Sequence, residues 1–300
     1  MLWIEDQHDI DLVETLSRDS SITKTLSKFL ISADIEDLEE AKNFLNPKLA
    51  HFADPFDIPG MVDAVKRICN AIQNKENVLV IGDYDVDGIT STVIIKKILI
   101  ALGLAPFHVT PKRKTEGYGL TKKVLNRGLK LGKINLVIAL DCGTNSREEA
   151  VFLKDQKIDL IIIDHHQSKD GKPCDAIQVN PHLHDDNDEP WRFLCTAGLA
   201  FKTVHGILKK LRKAGIKKAF EINPKDYLSL AGLGTIADLV PLRNENRILA
   251  SFGLKLMHTD PAPGLHALLN QSNIPVDTVV ESEDIAFKLA PRINACGRLD

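Results

Sequence analysis

Several residue patterns that announce a compartment or a chemistry are missing from this chain. Its five cysteines, Cys69, Cys142, Cys174, Cys195 and Cys296, include no C-x-x-C pair. Their scatter suggests neither a zinc knuckle nor a disulfide framework, so buried thiols are expected. No apolar run reaches the roughly 18 residues needed to span a bilayer, and Met1-Leu2-Trp3-Ile4-Glu5-Asp6 lacks the basic and apolar regions of a signal peptide. A cytoplasmic protein without a membrane role is therefore expected. There is no G-x-x-x-x-G-K-[ST] loop, which sets aside a P-loop nucleotide hydrolase, and no repeat or low-complexity segment. An excess of positive charge is lacking too, the net charge being −3 and the pI about 6.4. That balance does not advertise a nucleic-acid binder, although bound divalent cations would cancel some of the acids counted in it.

What is present is enough hydrophobic sequence, 44% of 300 residues, for one large domain or two smaller ones. From about Leu12 to Phe44 the pattern is one of short helices, with Ser32-Ala33-Asp34 as a cap before a helix over 35–44. Leu45-Asn46-Pro47 and Asp54-Pro55-Phe56 mark loops, and a helix is expected from Gly60 to Asn74. An alternation then begins. Strands are predicted at 78–81, 105–111, 134–140, 158–163 and, shorter, 176–179, with helices at 89–102, 121–131 and 146–156 between them. Continuous aliphatic strands separated by helices indicate an α/β fold, a Rossmann-like parallel sheet covered by helices on both faces. From about Leu194 onward the sequence reads as helices, at 196–214, 224–239, 245–258 and 283–290. The expected division is a helical lead-in over 1–70, an α/β domain over 71–260 and a helical connector over 261–300.

The chemistry concentrates in Gly82-Asp83-Tyr84-Asp85-Val86-Asp87-Gly88-Ile89-Thr90-Ser91, where three carboxylates stand at alternate positions behind an apolar strand. Acids that close repel one another, and bound divalent metal is one remedy. Asp83, Asp85, Asp87 and Gly88 match the first half of an EF-hand loop, but the twelfth position is Ile94 and the loop is entered from a strand, which argues against calcium of that type. Two further acidic groups follow later strands: Asp141 after Leu140, and Asp164-His165-His166 after Ile163. Ligands of open parallel sheets bind outside the carboxyl ends of the strands, so three separate segments converge on one crevice. Such an oxygen-rich site suits Mn²⁺ or Mg²⁺ better than Zn²⁺, and two such ions clamp a phosphoryl group. Phosphoester hydrolysis is the expectation.

Other motifs carry less. Gly232-Leu233-Gly234-Thr235-Ile236-Ala237 fits a dinucleotide fingerprint, but it follows a helical pattern with no early βαβ unit around it. His182, His184, Asp185, Asp186 and Asp188, near Pro181 and Pro190, read as a surface loop. The basic run Lys209-Lys210-Leu211-Arg212-Lys213, with Lys217-Lys218, lies on an amphipathic helical pattern and reads as a solvated face rather than a phosphate track.

With Asp83 through Ser91, Asp141-Cys142-Gly143 and Asp164-His165-His166 in this order, the chain resembles the DHH phosphoesterase superfamily, and within it the RecJ family of single-strand-specific exonucleases. Further segments agree: Phe44-Leu45-Asn46-Pro47, Pro111-Lys112-Arg113 ahead of Glu116-Gly117-Tyr118-Gly119-Leu120, Ala197-Gly198, Gly234 through Leu242, and Arg292-Ile293-Asn294-Ala295-Cys296-Gly297-Arg298. The resemblance covers about 40–300. It implies two Mn²⁺ or Mg²⁺ ions held by Asp83, Asp85, Asp87, Asp141, His165 and Asp238, with Asp141 bridging. It also implies that His166 contacts the scissile phosphate, that Asp164 orients an imidazole, and that Ser91, Arg113, Arg292, Asn294 and Arg298 meet substrate.

The function implied is a 5′-to-3′ exonuclease that degrades single-stranded DNA to 5′-mononucleotides in DNA repair and recombination. It would act as a monomer, with a single-strand-binding protein and a helicase as partners. Two alternatives stay open: a DHH phosphodiesterase of short oligoribonucleotides or cyclic dinucleotides, and a non-catalytic scaffold, against which the complete set of ligand carboxylates argues. Some superfamily members have a His where Ile81 stands, which implies fewer nitrogen ligands for one ion here. The family continues into a DHH-associated domain and an oligonucleotide-binding fold, so Asp300 is expected to be a truncation.

Overall fold

A computed structural model describes residues 7–183, 189–275 and 278–297. The chain divides into two compact units, 1–52 and 53–300. In the first, α1 (Ile10–Ser20), α2 (Lys24–Ser32) and α3 (Leu38–Leu45) are each started by a side chain that accepts from free backbone N–H groups: Asp9, Thr23 and Asp37. Their apolar faces meet at Leu16, Leu30, Ile35 and Ala41. The third helix begins at Leu38 rather than at the expected Ile35, because Asp34 turns the chain with φ +57° and Asp37 supplies the cap.

The second unit contains the sheet, preceded by α4 (Met61–Gln73). Its strands are β1 (Val78–Gly82), β2 (Phe107–Val109), β3 (Leu136–Leu140), β4 (Asp159–Ile163) and β5 (Ile177–Val179). They pair in parallel in the order β2-β1-β3-β4-β5. The connecting helices are α5 (Val86–Ala101), the short α6 (Arg113–Glu116), α7 (Lys122–Leu129) and α8 (Arg147–Asp155). Side chains alternate across a strand, so the aliphatic runs supply two cores. Leu79, Ile81, Val137, Ala139, Leu160 and Ile162 pack with Val124 and Leu125 of α7 and Ala150 and Leu153 of α8. The other face is covered by α5 and by α9 (Thr196–Lys213). The expected α/β architecture is present, with β2 shorter than its predicted span.

Beyond the sheet come α10 (Lys217–Glu221), α11 (Leu228–Ala237), α12 (Asn244–Thr259) and α13 (Pro263–Gln271). After them, α14 (Ser282–Asp284), a π-helical turn (Ile285–Leu289) and α15 (Ala290–Cys296) form one helical run. The fingerprint-like glycines belong to α11. A Cβ on Gly232 would lie 2.7 Å from the Leu249 carbonyl oxygen and 2.8 Å from Gly253 Cα, so this glycine lets α11 and α12 cross closely. Of the cysteines, Cys69, Cys142, Cys174 and Cys195 are buried as expected, whereas Cys296 is exposed at the end of α15.

Candidate metal centre

The parallel order 2-1-3-4-5 changes direction between β1 and β3, and in such sheets the crevice lies beyond the carboxyl ends of the strands there. All three acidic segments leave the sheet at that edge. Asp83 follows β1 directly, Asp85 is the N-cap of α5 and accepts from Gly88 N at 2.9 Å, and Asp87 lies in the first helical turn. The helix starts three residues earlier than the sequence suggests because Asp85 caps it, and this brings Asp87 into the crevice on a rigid element. Asp141 follows β3 with φ +60°, a left-handed conformation uncommon for any residue but glycine.

Three groups of donors form, within each of which one atom per side chain lies within 4.8 Å of the others: Asp83, Asp85 and Asp141; Asp87, His165 and Asp238; and Asp141, His165 and His166. Nε2 of His165 is 3.5 Å from Asp141 Oδ1, 3.5 Å from Asp238 Oδ2 and 3.7 Å from Asp87 Oδ2. Asp141 therefore belongs to two groups and stands between them. Asp238, which the physics of the sequence could not single out, caps the end of α11 after Ala237 and is brought into the cluster by that helix.

Burial works against ionised carboxylates, and here several share one pocket. Burial, reinforced by the charge of Asp85, pushes Asp83 up to about 7, and burial with the charge of Asp87 pushes Asp238 up to about 6. Asp141 and Asp87 are raised by burial as well, Asp141 further by Asp87 and Asp85. Both oxygens of Asp83 and Oδ2 of Asp141 are buried without a hydrogen-bond partner of ordinary geometry. Unpartnered buried oxygens on crowded acids are what a divalent cation would satisfy, and the donors, mostly carboxylate with imidazole, suit hard to borderline ions.

His166, which joins Asp141 and His165 in the third group with Nδ1 3.8 Å from Asp141 Oδ1, is held more closely by Asp164. Its Nδ1 is 2.7 Å from Asp164 Oδ1, which also accepts from the His165 and His166 backbone N–H groups. Asp164 Oδ2 accepts from Thr144 N at 3.1 Å and Thr144 Oγ1 at 2.6 Å. Burial alone would raise Asp164, but the hydrogen bonds from His166 and Thr144 outweigh it and hold the carboxyl well below its usual range. In return the hydrogen bond to Asp164 lifts His166 to about 9. Its outer nitrogen, Nε2, is 3.2 Å from the Tyr118 hydroxyl. Tyr118 also meets Tyr84 edge-on at 6.1 Å, and the Arg113 guanidinium lies 5.7 Å from the Tyr84 ring centre, so Arg113 borders the crevice.

The remaining expected substrate contacts are placed differently. Ser91 is fully buried in α5, its hydroxyl donating to the Gly88 carbonyl oxygen. Asn294 accepts from Val86 N at 3.0 Å, tying α15 to the start of α5, and a Cβ on Gly297 would meet the Tyr84 side chain at 2.8 Å. Arg292 is exposed and donates to the Lys288 carbonyl oxygen. Arg298 lies outside the described residues, as do His184, Asp185, Asp186 and Asp188. Ile81 is wholly buried in the apolar core. Residues not assigned from the sequence also enter: Thr196 and Ala197, whose backbone N–H groups donate to Asp87, Thr144 on Asp164, and Tyr118 on His166. A hydroxyl residue where a predicted helix opens, as Thr196 is, was the available signal.

A family description, the DHH family N-terminal domain, matches residues 77–235, a stretch that runs from β1 into α11. The chain belongs to the DHH family. Among curated DHH relatives it is 35% identical over 300 residues to the single-stranded-DNA-specific exonuclease RecJ of Bacillus subtilis, covering 100% of this chain and 36% of that protein. It is 34% identical over 248 residues to RecJ of Escherichia coli, covering 81% of this chain and 42% of the relative. The chain thus spans between a third and a half of the length of these relatives. Among solved structures it resembles an exonuclease RecJ bound to manganese, with TM-score 0.71 and 31% identity over 84% of this chain and 60% of that one. It also resembles RecJ of Thermus thermophilus in complex with Mn²⁺, with TM-score 0.77 and 26% identity over 97% of this chain and 40% of the other.

Proposed function

We propose that this chain is the catalytic core of a metal-dependent exonuclease that hydrolyses single-stranded DNA from the 5′ end to 5′-mononucleotides, in DNA repair and recombination. Its catalytic domain would be residues 71–260, led in by 1–70 and followed by a helical connector over 261–300. The observation that carries the reading is the shared carboxylate of Asp141 between two donor groups, with its Oδ2 and both Asp83 oxygens unpartnered. Identity to RecJ proteins along the whole chain supports the substrate class, and the likeness to manganese-bound RecJ structures supports the ion. The polarity rests on the motif resemblance.

Asp83, Asp85 and Asp141 would hold one Mn²⁺ or Mg²⁺ ion, and Asp87, His165 and Asp238, with Asp141 bridging, the other. When bound, two such ions supply charge neutralisation at a phosphate and a water of lowered pKa. The chain's own groups do the rest. His166, kept protonated by Asp164, presents Nε2–H to a non-bridging phosphate oxygen as negative charge develops there. Without substrate that nitrogen faces the Tyr118 hydroxyl at 3.2 Å, a contact the phosphate oxygen would replace, and Arg113 offers a two-pronged donor for a neighbouring phosphate. Hydrolysis adds water across the P–O3′ bond: the water oxygen joins phosphorus, and the 3′ oxygen leaves with a proton.

The test is a time course on 5′-labelled and 3′-labelled single-stranded DNA with Mn²⁺ or Mg²⁺. Release of 5′ label first, as mononucleotide, is expected. Release of 3′ label first overturns the polarity, equal use of dinucleotides and long strands favours a short-oligonucleotide phosphodiesterase, and no hydrolysis with either ion overturns the enzyme reading.

A further inference from the structure

Thr196 opens α9 between the two donor groups and has no solvent-accessible surface. Its backbone N–H donates to Asp87 Oδ2 at 2.8 Å, while the next N–H, of Ala197, donates to Asp87 Oδ1 at 2.7 Å. Its hydroxyl donates to Asp141 Oδ1 at 3.1 Å. One residue thus touches acids that follow two different strands, β1 and β3. Asp87 and Asp141 both come within 3.7 Å of His165 Nε2, and two carboxylates held this close repel each other when ionised. The helix N-terminus offsets part of that repulsion. Any residue but proline could supply the backbone N–H to Asp87, whereas the contact with Asp141 is made by the hydroxyl. Its single proton goes to Oδ1, leaving Oδ2 unpartnered for a ligand.

We infer that Thr196 is a positioning residue that sets the spacing of Asp87 and Asp141 and, through it, the affinity of this centre for divalent cations. The inference rests on the metal-dependent reading above and adds to it a residue that neither donates to an ion nor meets substrate. Outer partners that orient metal-binding side chains are worth about 10–100-fold in affinity or activity.

The test is the near-isosteric Thr196→Val, which keeps both backbone N–H groups and removes only the hydroxyl. Free Mn²⁺ is followed by electron paramagnetic resonance as protein is titrated, and hydrolysis of single-stranded DNA is measured in parallel. Thr196→Val should weaken Mn²⁺ binding about tenfold and lower kcat by a similar factor with KM for DNA unchanged. Thr196→Ser, which restores the hydroxyl, should recover both. A melt in EDTA checks folding, and Thr196→Ala replaces the valine variant if that does not fold. Wild-type Mn²⁺ affinity in Thr196→Val, or a serine variant no better than the valine one, overturns the inference. A wild-type chain that takes up no Mn²⁺ overturns the metal reading itself, a result distinct from the other two.

Discussion

Two groups of buried charge in this molecule have been handled in opposite ways. Lys202 of α9 and Glu245 of α12 are 0% and 1% exposed, and their side chains meet at 2.6 Å. The same Glu245 oxygen accepts from Ala53 N at 2.8 Å, and Lys202 Nζ donates to the Ala53 carbonyl oxygen at 2.7 Å. Burial raises Glu245 and lowers Lys202, but each charge has its opposite within the chain. The carboxylates around Asp141 have no such partner. Asp83, Asp87 and Asp141 are each 1% exposed, no Lys or Arg side chain pairs with them among the described residues, and the imidazole of His165 comes within 3.7 Å of Asp87 and 3.5 Å of Asp141. A fold that can neutralise one buried acid internally and leaves several others uncompensated a short distance away has a site that is completed from outside. The same helix, α9, serves both: its first turn holds Asp87 and its second holds the lysine.

The largest separation of the two groups should come from Asp141→Asn, which keeps the shape and removes the charge. Hydrolysis with Mn²⁺ should fall by more than about 10³-fold, as for other residues essential to a catalytic unit. The melting temperature in EDTA should not fall, because repulsion is relieved. Loss of stability with activity retained would place Asp141 with the structural pair instead.

The converse change is Lys202→Met. It leaves Glu245 buried beside an apolar chain, and breaking a buried pair from one side costs about 3–5 kcal/mol, readable as a lower denaturant midpoint. Lys202→Met with Glu245→Leu should regain most of that loss, and Mn²⁺ affinity should be unaltered throughout. A stability change near zero for the single variant would show that Glu245 does not depend on Lys202 for its compensation.

A third separation uses pH. In the metal-free chain Asp83 is held at about 7 and Asp238 at about 6, against about 4 for an unfolded aspartate. The unfolded chain therefore gives up these protons first as pH rises. Their contribution to stability is fully present below about pH 4 and is lost progressively as pH climbs through 6 to 7, so the EDTA melt should be lower at pH 8 than at pH 5. Mn²⁺ binds the deprotonated groups and should reverse the slope, adding about 2.7 kcal/mol at a concentration a hundred times its Kd. A metal-free melt that rises between pH 5 and 8 would contradict the crowding of these acids.

How much of this is visible in the sequence depends on whether a local cause exists. The strands and the convergence of Asp83, Asp141 and Asp164 are legible because aliphatic runs announce buried parallel strands, and polar residues just past them have one place to go. Asp238 carries no such cause: it ends a helix, and only the packing of α11 against α5 and α9 brings it to His165. The helical tail is least legible. The helices expected from the sequence stop at 258 and resume at 283, yet α13 lies between them and starts at Pro263, proline being favoured in a first turn. Pro291 reads as a stop at 290, but the helix runs through it to Cys296 after widening into the π turn at Ile285–Leu289. A π turn makes room for a ring that would otherwise strike the carbonyl four residues back.

The smallest expected effect concerns the basic end of α9. Lys209 pairs with Asp54 while both side chains remain 47% and 38% exposed, and Arg212 donates to the Ala219 and Ile222 carbonyl oxygens. These residues sit about 20 Å along the helix from Thr196, at 1.5 Å per residue. Cations in a last turn answer the negative end of the helix, which accounts for the cluster without a ligand. Lys209→Ala should therefore change stability by no more than about 1 kcal/mol, and less at high salt, with KM for single-stranded DNA unchanged. A KM that rises with that substitution, and rises further when Lys210 and Lys213 are also replaced, would make the cluster a track for phosphates. The contrast between a buried charge that needs a partner and an exposed one that does not would then fail at this end of the helix.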